Sequence, residues 1–166
     1  SAKGAILMDA DTGEVLYRQN DLDALYPAST TKIMTCYLAL QYLDVNASIT
    51  IPEGINTGIT DGASTANLKV GEELTVYQLL QCLMIVSANE AANILAVAVA
   101  GSIDNFVAMM NAKAAELGCT GTHFVNPDGM PDNDHYTTAY DLYLIGKYAM
   151  QNEPFRTIVK TPEYYV

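Results

Sequence analysis

The pattern of apolar and polar residues changes its period along the chain. Residues 5–8 and 15–17 are short, largely apolar segments on either side of the turn-forming residues 9–13, which include two Asp and one Gly. This arrangement predicts a β-hairpin. Pro27 then interrupts the chain, and over residues 30–43 the apolar positions recur at the spacing of one helix face. A helix is therefore predicted to begin close to Ser29.

The remainder is predicted to be mainly helical. A short strand at residues 48–53 and a glycine-rich polar loop at 54–74 come first, and Thr75 is placed to cap a helix over 76–86. After a break at residues 87–89, the segment 90–101 is so apolar that we expect a helix buried on all sides. A further helix is predicted to begin after Ser102 and to end at Gly118. Another is predicted after Thr138, and a last short helix has Pro154 in its first turn. Residues 126–134 form a turn-rich loop.

These elements predict an α/β fold within one domain of 166 residues. Residues 1–28 would form a hairpin of its sheet, and residues 29–166 a mostly helical region. A two-stranded hairpin is only marginally stable by itself, so it requires further strands or a helix to pack against.

Composition removes several classes of function. Eight Lys and Arg stand against nineteen Asp and Glu, which gives a net charge of -11, and the basic residues are scattered. Neither nucleic acid nor an acidic membrane surface is an expected partner. Three cysteines and two histidines show no metal-binding spacing, so we predict no metal site and no cofactor. The longest apolar run is too short to cross a bilayer, so no membrane anchor is expected in these residues.

Ser29 and Lys32 are the first candidates for chemistry. Residues three apart on a helix share a face, so the hydroxyl and the amine can meet. A buried lysine with a lowered pKa can then activate the serine as a nucleophile, and the helix N-terminus can stabilise an oxyanion. The alternative is that Ser29 caps the helix and Lys32 is solvated. A lysine in the first turn opposes the helix dipole, which counts against this alternative.

Ser87 and Asn89 lie at the break between two predicted helices. At such a corner both side chains can project into one cleft, where a hydroxyl can relay protons and an amide can hold Lys32 or a substrate carbonyl. The alternative is a capping box between Ser87 and Glu90. Taken singly, each motif is explained better by capping than by catalysis.

The two motifs together resemble a known family. "PASTTKIMT" and "IVSANEAAN" are similar to the Ser-x-x-Lys and Ser-x-Asn signatures of the penicillin-recognising serine acyl transferases. Their flanks, the hairpin "AILMDADTGEVLYRQN" and the later "THFVNPDGMPDNDHYTTAYDLYLIGKYAM" resemble the D-alanyl-D-alanine carboxypeptidases, the low-molecular-mass penicillin-binding proteins. The resemblance covers nearly the whole chain in the family's order, and it implies a β-lactamase/transpeptidase-like fold.

By position, the resemblance implies a role for each candidate. Ser29 would be the nucleophile that is acylated by the penultimate D-Ala, and its N–H would supply half of the oxyanion hole. Lys32 would be the general base, Ser87 a proton relay, and Asn89 would orient the substrate and Lys32. It implies no catalytic role for His135. The implied partners are peptidoglycan stem peptides ending in D-Ala-D-Ala and β-lactams, and the implied location is outside the cytoplasmic membrane.

The family's third signature, Lys-Thr-Gly, has no counterpart here. Lys160-Thr161-Pro162 is not accepted as a substitute, because Pro162 cannot donate an N–H and does not suit an interior strand. We therefore expect an N-terminal part of a carboxypeptidase that lacks the remaining sheet strands and is weak or inactive alone. A serine β-lactamase and a non-catalytic peptidoglycan-binding module stay open as alternatives.

Overall fold

The computed structural model describes residues 2–164. Its strands and helices follow in the order β1 (Ala5–Met8), β2 (Val15–Gln19), a 3-10 turn (Ala28–Thr31), α1 (Lys32–Tyr42), β3 (Ser48–Thr50), β4 (Glu73–Thr75), α2 (Val76–Ile85), α3 (Asn89–Ala100), α4 (Ile103–Glu116), α5 (Ala139–Ala149) and α6 (Glu153–Lys160). Both strand pairs, β1 with β2 and β3 with β4, are antiparallel. The predicted α/β organisation is confirmed.

The N-terminal hairpin forms as predicted. Oδ1 of Asp9 accepts hydrogen bonds from the backbone N–H groups of Asp11 and Thr12, which closes the turn. Within residues 2–164, β1 pairs with β2 alone and packs against α5. Leu7, on β1, remains 57% exposed, so the hairpin depends on the helical layer for support.

Helix α1 is the centre of the molecule and contacts each of the other five helices. One side of α1 packs with α2, α3 and α6 through Cys36 and Ala39, and the other packs with α4 and α5 through Met34 and Leu38. All four of these side chains are buried. Because both core clusters converge on α1, the residues at its N-terminus are held rigidly by the surrounding helices.

The helix starts were predictable from local capping. Thr75 forms a capping box with Gln78, and the side chains of Ser102 and Thr138 each accept a hydrogen bond from a backbone N–H in the first turn of the following helix. Pro154 lies in the first turn of α6, as predicted. Among the described helices, none is by itself long and apolar enough to cross a bilayer; α3 and α4 reach that length only as a pair bent by 84°.

The first helix starts close to Ser29, as predicted: α1 begins at Lys32, and Ser29 lies in the 3-10 turn directly before it. Two sequence-based expectations were wrong. Residues 73 and 74, predicted as loop, belong together with Thr75 to strand β4, which pairs with β3 so that Ser48 lies opposite Thr75. Helix α3 is buried only over its first two turns, and Val97 is 39% exposed. Strand β4 has only three residues, too few for the alternation of apolar and polar positions to be visible in the sequence. Its pairing with the distant strand β3 is what makes it a strand.

Candidate active site

Ser29 is presented by an unusual backbone. It is exposed and lies in the 3-10 turn that follows Pro27. The preceding residue, Ala28, has φ +48°, a left-handed conformation that costs a non-glycine residue roughly 1 kcal/mol or more. Such strain persists only where the surroundings enforce it, and it is common beside nucleophiles and ligand-binding groups.

Lys32 begins α1 with only 2% of its surface exposed. Its Nζ donates to Oδ1 of Asn89 at 2.8 Å and to the backbone carbonyl of Asp128, and it lies 3.4 Å from Oγ of Ser29. Burial lowers the pKa of Lys32, although the nearby carboxylates of Asp128 and Glu90 oppose that effect. A lower pKa increases the uncharged fraction of the amine, which is the form that can accept a proton.

Ser87 and Asn89 occupy the corner between α2 and α3. Ser87 has φ +58°, and its Oγ donates to Oγ of Ser29 at 2.9 Å. Asn89 is buried, and its Nδ2 donates to the carbonyl of Ser64 at 3.0 Å, which leaves Oδ1 for Lys32. The structure thus brings together all four predicted site residues, from two segments nearly 60 positions apart.

Neither capping alternative is realised. The N-cap of α3 is Ala88 rather than Ser87, and no side chain caps the 3-10 turn or α1. Glu90 accepts its hydrogen bonds from Thr65 and Ala66 instead of closing a capping box. With Lys32 buried, the solvated-lysine interpretation is also wrong.

The loop at residues 126–130 completes the site, and sequence reasoning gave it no site role. Besides the Asp128 carbonyl at Lys32, Oγ1 of Thr35 donates to the carbonyl of Pro127 at 2.6 Å, which ties the loop to α1. Burial raises the pKa of the Asp128 carboxyl, and its Oδ1 accepts from the N–H of Met130. The contributing atom at Lys32 is a backbone oxygen, so the Asn-Pro-Asp-Gly turn was the one signal in the sequence.

His135 supports the site from behind without touching Ser29. Its Nδ1 accepts from the backbone N–H of Val125 at 3.0 Å, so Nε2 carries the proton that is donated to Oγ1 of Thr31 at 2.8 Å. Burial lowers the pKa of His135 to about 4, which keeps the ring neutral at pH 7. Thr31 precedes Lys32 directly, so His135 fixes the start of α1.

A pocket of 280 Å³ opens beside Ser29. It is lined by both hydroxyls of the predicted site, by Lys32 and by apolar side chains of α1 and α2: Ser29, Thr30, Lys32, Ile33, Leu83, Met84 and Ser87. An exposed hydroxyl, a buried amine and a second hydroxyl within hydrogen-bond reach form a set of groups that can carry out acyl transfer. Lys160-Thr161-Pro162 lies at the end of α6, on no strand, in agreement with its rejection as a third signature.

Comparison with known proteins agrees with the family resemblance of the sequence motifs. The profile of a family described as D-alanyl-D-alanine carboxypeptidase, peptidase family S11, matches residues 1–166. The chain is 39% identical over 168 residues to D-alanyl-D-alanine carboxypeptidase DacF of Bacillus subtilis, which covers 99% of this chain and 43% of that protein. It is 39% identical over 162 residues to D-alanyl-D-alanine carboxypeptidase DacB2 of Mycobacterium tuberculosis, covering 95% and 53%.

A solved structure agrees with the observed fold. The crystal structure of the Streptomyces K15 DD-transpeptidase matches with a TM-score of 0.90 at 37% identity, over 96% of this chain and 64% of that one. The chain spans about half the length of the curated relatives that it matches. Since the family profile matches residues 1–166, the chain belongs to the D-alanyl-D-alanine carboxypeptidase family, peptidase family S11.

Proposed function

We propose that this chain carries the acylation site of a serine-type D-Ala-D-Ala carboxypeptidase, which removes the terminal D-Ala from peptidoglycan stem peptides. One observation carries the proposal: the buried amine of Lys32 lies between Ser29 and Asn89, where it is desolvated and fixed in direction. A buried lysine with a lowered pKa beside an exposed serine is the arrangement of a base and its nucleophile.

The proposed reaction has two steps. Oγ of Ser29 attacks the carbonyl of the penultimate D-Ala while Lys32 takes its proton. The C–N bond to the terminal D-Ala breaks, and Ser87, hydrogen-bonded to Ser29, gives its proton to the leaving amine and receives the proton held by Lys32, which leaves the amine of Lys32 neutral again. Water then attacks the ester, Ser29 regains its proton, and the shortened peptide leaves. The N–H of Ser29 would supply one oxyanion donor, and each such donor contributes on the order of 10²–10³ in rate.

Partners and location follow from this chemistry. β-Lactams would acylate Ser29 as mimics of D-Ala-D-Ala, and the substrate places the reaction in the cell wall, outside the cytoplasmic membrane. A β-lactamase would use the same first step but would release the acyl group rapidly. The carboxypeptidase proposal therefore requires a long-lived β-lactam adduct, whereas D-Ala-D-Ala peptides must turn over.

Release of D-alanine from a peptide ending in D-Ala-D-Ala tests the proposal, with Ser29→Ala as the control. We expect slow release by the chain and none by the variant, because the residues described here supply a single proposed oxyanion donor. Equal release by both proteins, or none from a folded wild-type chain, would contradict the hydrolytic function. Rapid hydrolysis of penicillin with no accumulated adduct would favour the β-lactamase alternative.

A further inference from the structure

Glu90 is a buried carboxylate that the proposed reaction does not use. It lies in the first turn of α3 with 1% of its surface exposed. Its Oε1 accepts hydrogen bonds from Oγ1 of Thr65 and from the backbone N–H of Ala66, the latter at 2.7 Å. Its Oε2 is also buried, and within residues 2–164 it has no hydrogen-bond partner. Leaving a carboxylate oxygen without solvent or a donor is costly, so this residue requires an explanation beyond filling space.

The position of Glu90 at the N-terminus of α3 explains only part of its burial. An acidic residue in the first turn of a helix is stabilised by the helix dipole, but a solvent-exposed carboxylate receives that benefit without the cost of burial. The two bonds from Thr65 and Ala66 show what burial adds. They fasten residues 64–66, which we call the strap, across the start of α3.

The strap in turn determines how Asn89 is oriented. The carbonyl of Ser64, the first residue of the strap, accepts from both the backbone N–H and Nδ2 of Asn89, at 3.1 and 3.0 Å. With Nδ2 bound to Ser64, Oδ1 of Asn89 must face Lys32, and it accepts a hydrogen bond from Nζ of Lys32 at 2.8 Å. A continuous set of contacts therefore runs from Glu90 through the strap and Asn89 to the proposed base.

We propose that Glu90 is a positioning residue of the acylation site, whose carboxylate holds the strap so that Asn89 presents its oxygen to Lys32. This inference rests on the proposed function, because it treats Lys32 as the base. The carboxylate also acts on Lys32 through its charge, which favours the ammonium form. Glu90 thus contributes to both the direction of the amine and its protonation.

The charged and titratable groups around Lys32 are few. Asp128 faces it from the 126–130 loop and Glu90 from α3, and both carboxylates raise its pKa against the effect of burial. Cys82, on α2, lies near Glu90, and burial raises the pKa of its thiol, so it stays neutral. Removing the charge of Glu90 should therefore lower the pKa of Lys32, and simple loosening that admits water should raise it.

Two NMR measurements test the proposal: titration of the Lys32 side chain and hydrogen exchange at the backbone N–H of Asn89. The variants are Glu90→Gln, which removes the charge but keeps the shape, and Thr65→Val, which removes one strap donor but keeps the charge. Glu53→Gln, an exposed carboxylate, is the control. None of these readouts requires turnover, so they remain informative if the proposed hydrolytic function fails.

For Glu90→Gln we expect the pKa of Lys32 to fall, because a carboxylate that favours the ammonium form is removed, and exchange at Asn89 to accelerate roughly tenfold. For Thr65→Val, which keeps the charge of Glu90, we expect faster exchange of similar size without the fall in the pKa of Lys32. Glu53→Gln should change neither. A pKa of Lys32 that is unchanged or raised in Glu90→Gln would overturn the proposal. Hydrogen exchange at Asn89 that is as slow in both Glu90→Gln and Thr65→Val as in the wild type would also overturn it.

Discussion

Gly129 packs directly on the carbonyl oxygen of Ala28, the residue before the proposed nucleophile Ser29. A Cβ atom added at Gly129 would lie 2.0 Å from that oxygen and 3.1 Å from the backbone nitrogen of Ser29. The loop that supplies the Asp128 carbonyl to Lys32 is therefore the same loop that supports the strained backbone of Ala28. A single tight turn therefore positions both the proposed nucleophile and the proposed base from one side.

Gly129→Ala should damage the site more than it damages the fold. The added methyl group cannot fit without moving the backbone at Ala28, and a displacement near 1 Å at a reacting atom costs on the order of 10² in rate. We expect acylation of Ser29 by a fluorescent penicillin to slow about a hundredfold. Gly118→Ala is the control, since φ is +85° there and +86° at Gly129, but no atom lies within 4 Å of its added Cβ. Equal losses in the two variants would show that backbone strain alone is responsible.

The acylation rate should rise with pH along a limb set by Lys32. The amine must be uncharged to accept the proton of Ser29, and burial lowers its pKa from the ordinary 10.5. The uncharged fraction therefore grows as pH rises through a midpoint below 10.5, and the rate follows it. Asp128→Asn removes a carboxylate that opposes this shift, so its limb should lie at still lower pH. A pH-independent rate, or an acid shift absent from Asp128→Asn, would contradict the role of Lys32.

Stability should fall on mild acidification because of His135. Burial lowers the pKa of His135 from 6.5 to about 4, so between these pH values the unfolded chain binds a proton at His135 and the folded chain does not. The contribution is fully present above pH 6.5 and is lost as pH falls towards 4, up to roughly 3 kcal/mol in the free energy of unfolding. Urea titrations between pH 7 and about 5 measure this slope. His135→Gln should flatten the slope, whereas His123→Gln, at an exposed position, should retain it.

Ser87→Gly separates stability from activity. Glycine adopts φ near +58° without penalty, so the free energy of unfolding of the variant should be roughly 1 kcal/mol higher than that of the wild type. Losing the hydroxyl that bonds Ser29 should nonetheless slow acylation on the order of 10²-fold. Ser87→Ala should be equally slow without the gain in stability. A Ser87→Gly chain that is acylated at the wild-type rate would remove Ser87 from the mechanism.

Local signals in the sequence were sufficient for most of the fold. Thr75, Ser102 and Thr138 mark helix starts because a cap depends on residues only three positions away. Strand β4 was missed because it is defined by β3 and not by its own three residues. The exposed end of α3 was missed for a related reason, since apolar composition does not reveal where neighbouring helices stop.

The site itself was predictable only in part. Ser29, Lys32, Ser87 and Asn89 could be grouped because two short motifs resembled one family in the right order. The carbonyl of Asp128 could not be found, because every residue carries a carbonyl and only the folded loop directs this one at Lys32. The strap contacts of Glu90 were equally invisible, since that residue first suggested a capping box with Ser87.

The most direct test of the central claim is an intact-mass measurement after prolonged incubation with excess benzylpenicillin, comparing the wild-type chain with Ser29→Ala. An amide spectrum of each protein should first show that it is folded. The account predicts slow formation of one stable penicilloyl adduct on the wild type, located on the peptide that contains Ser29, and none on the variant. A folded wild-type chain that gains no adduct, or a Ser29→Ala chain that gains the same adduct, would contradict the assignment of Ser29 and Lys32 as nucleophile and base.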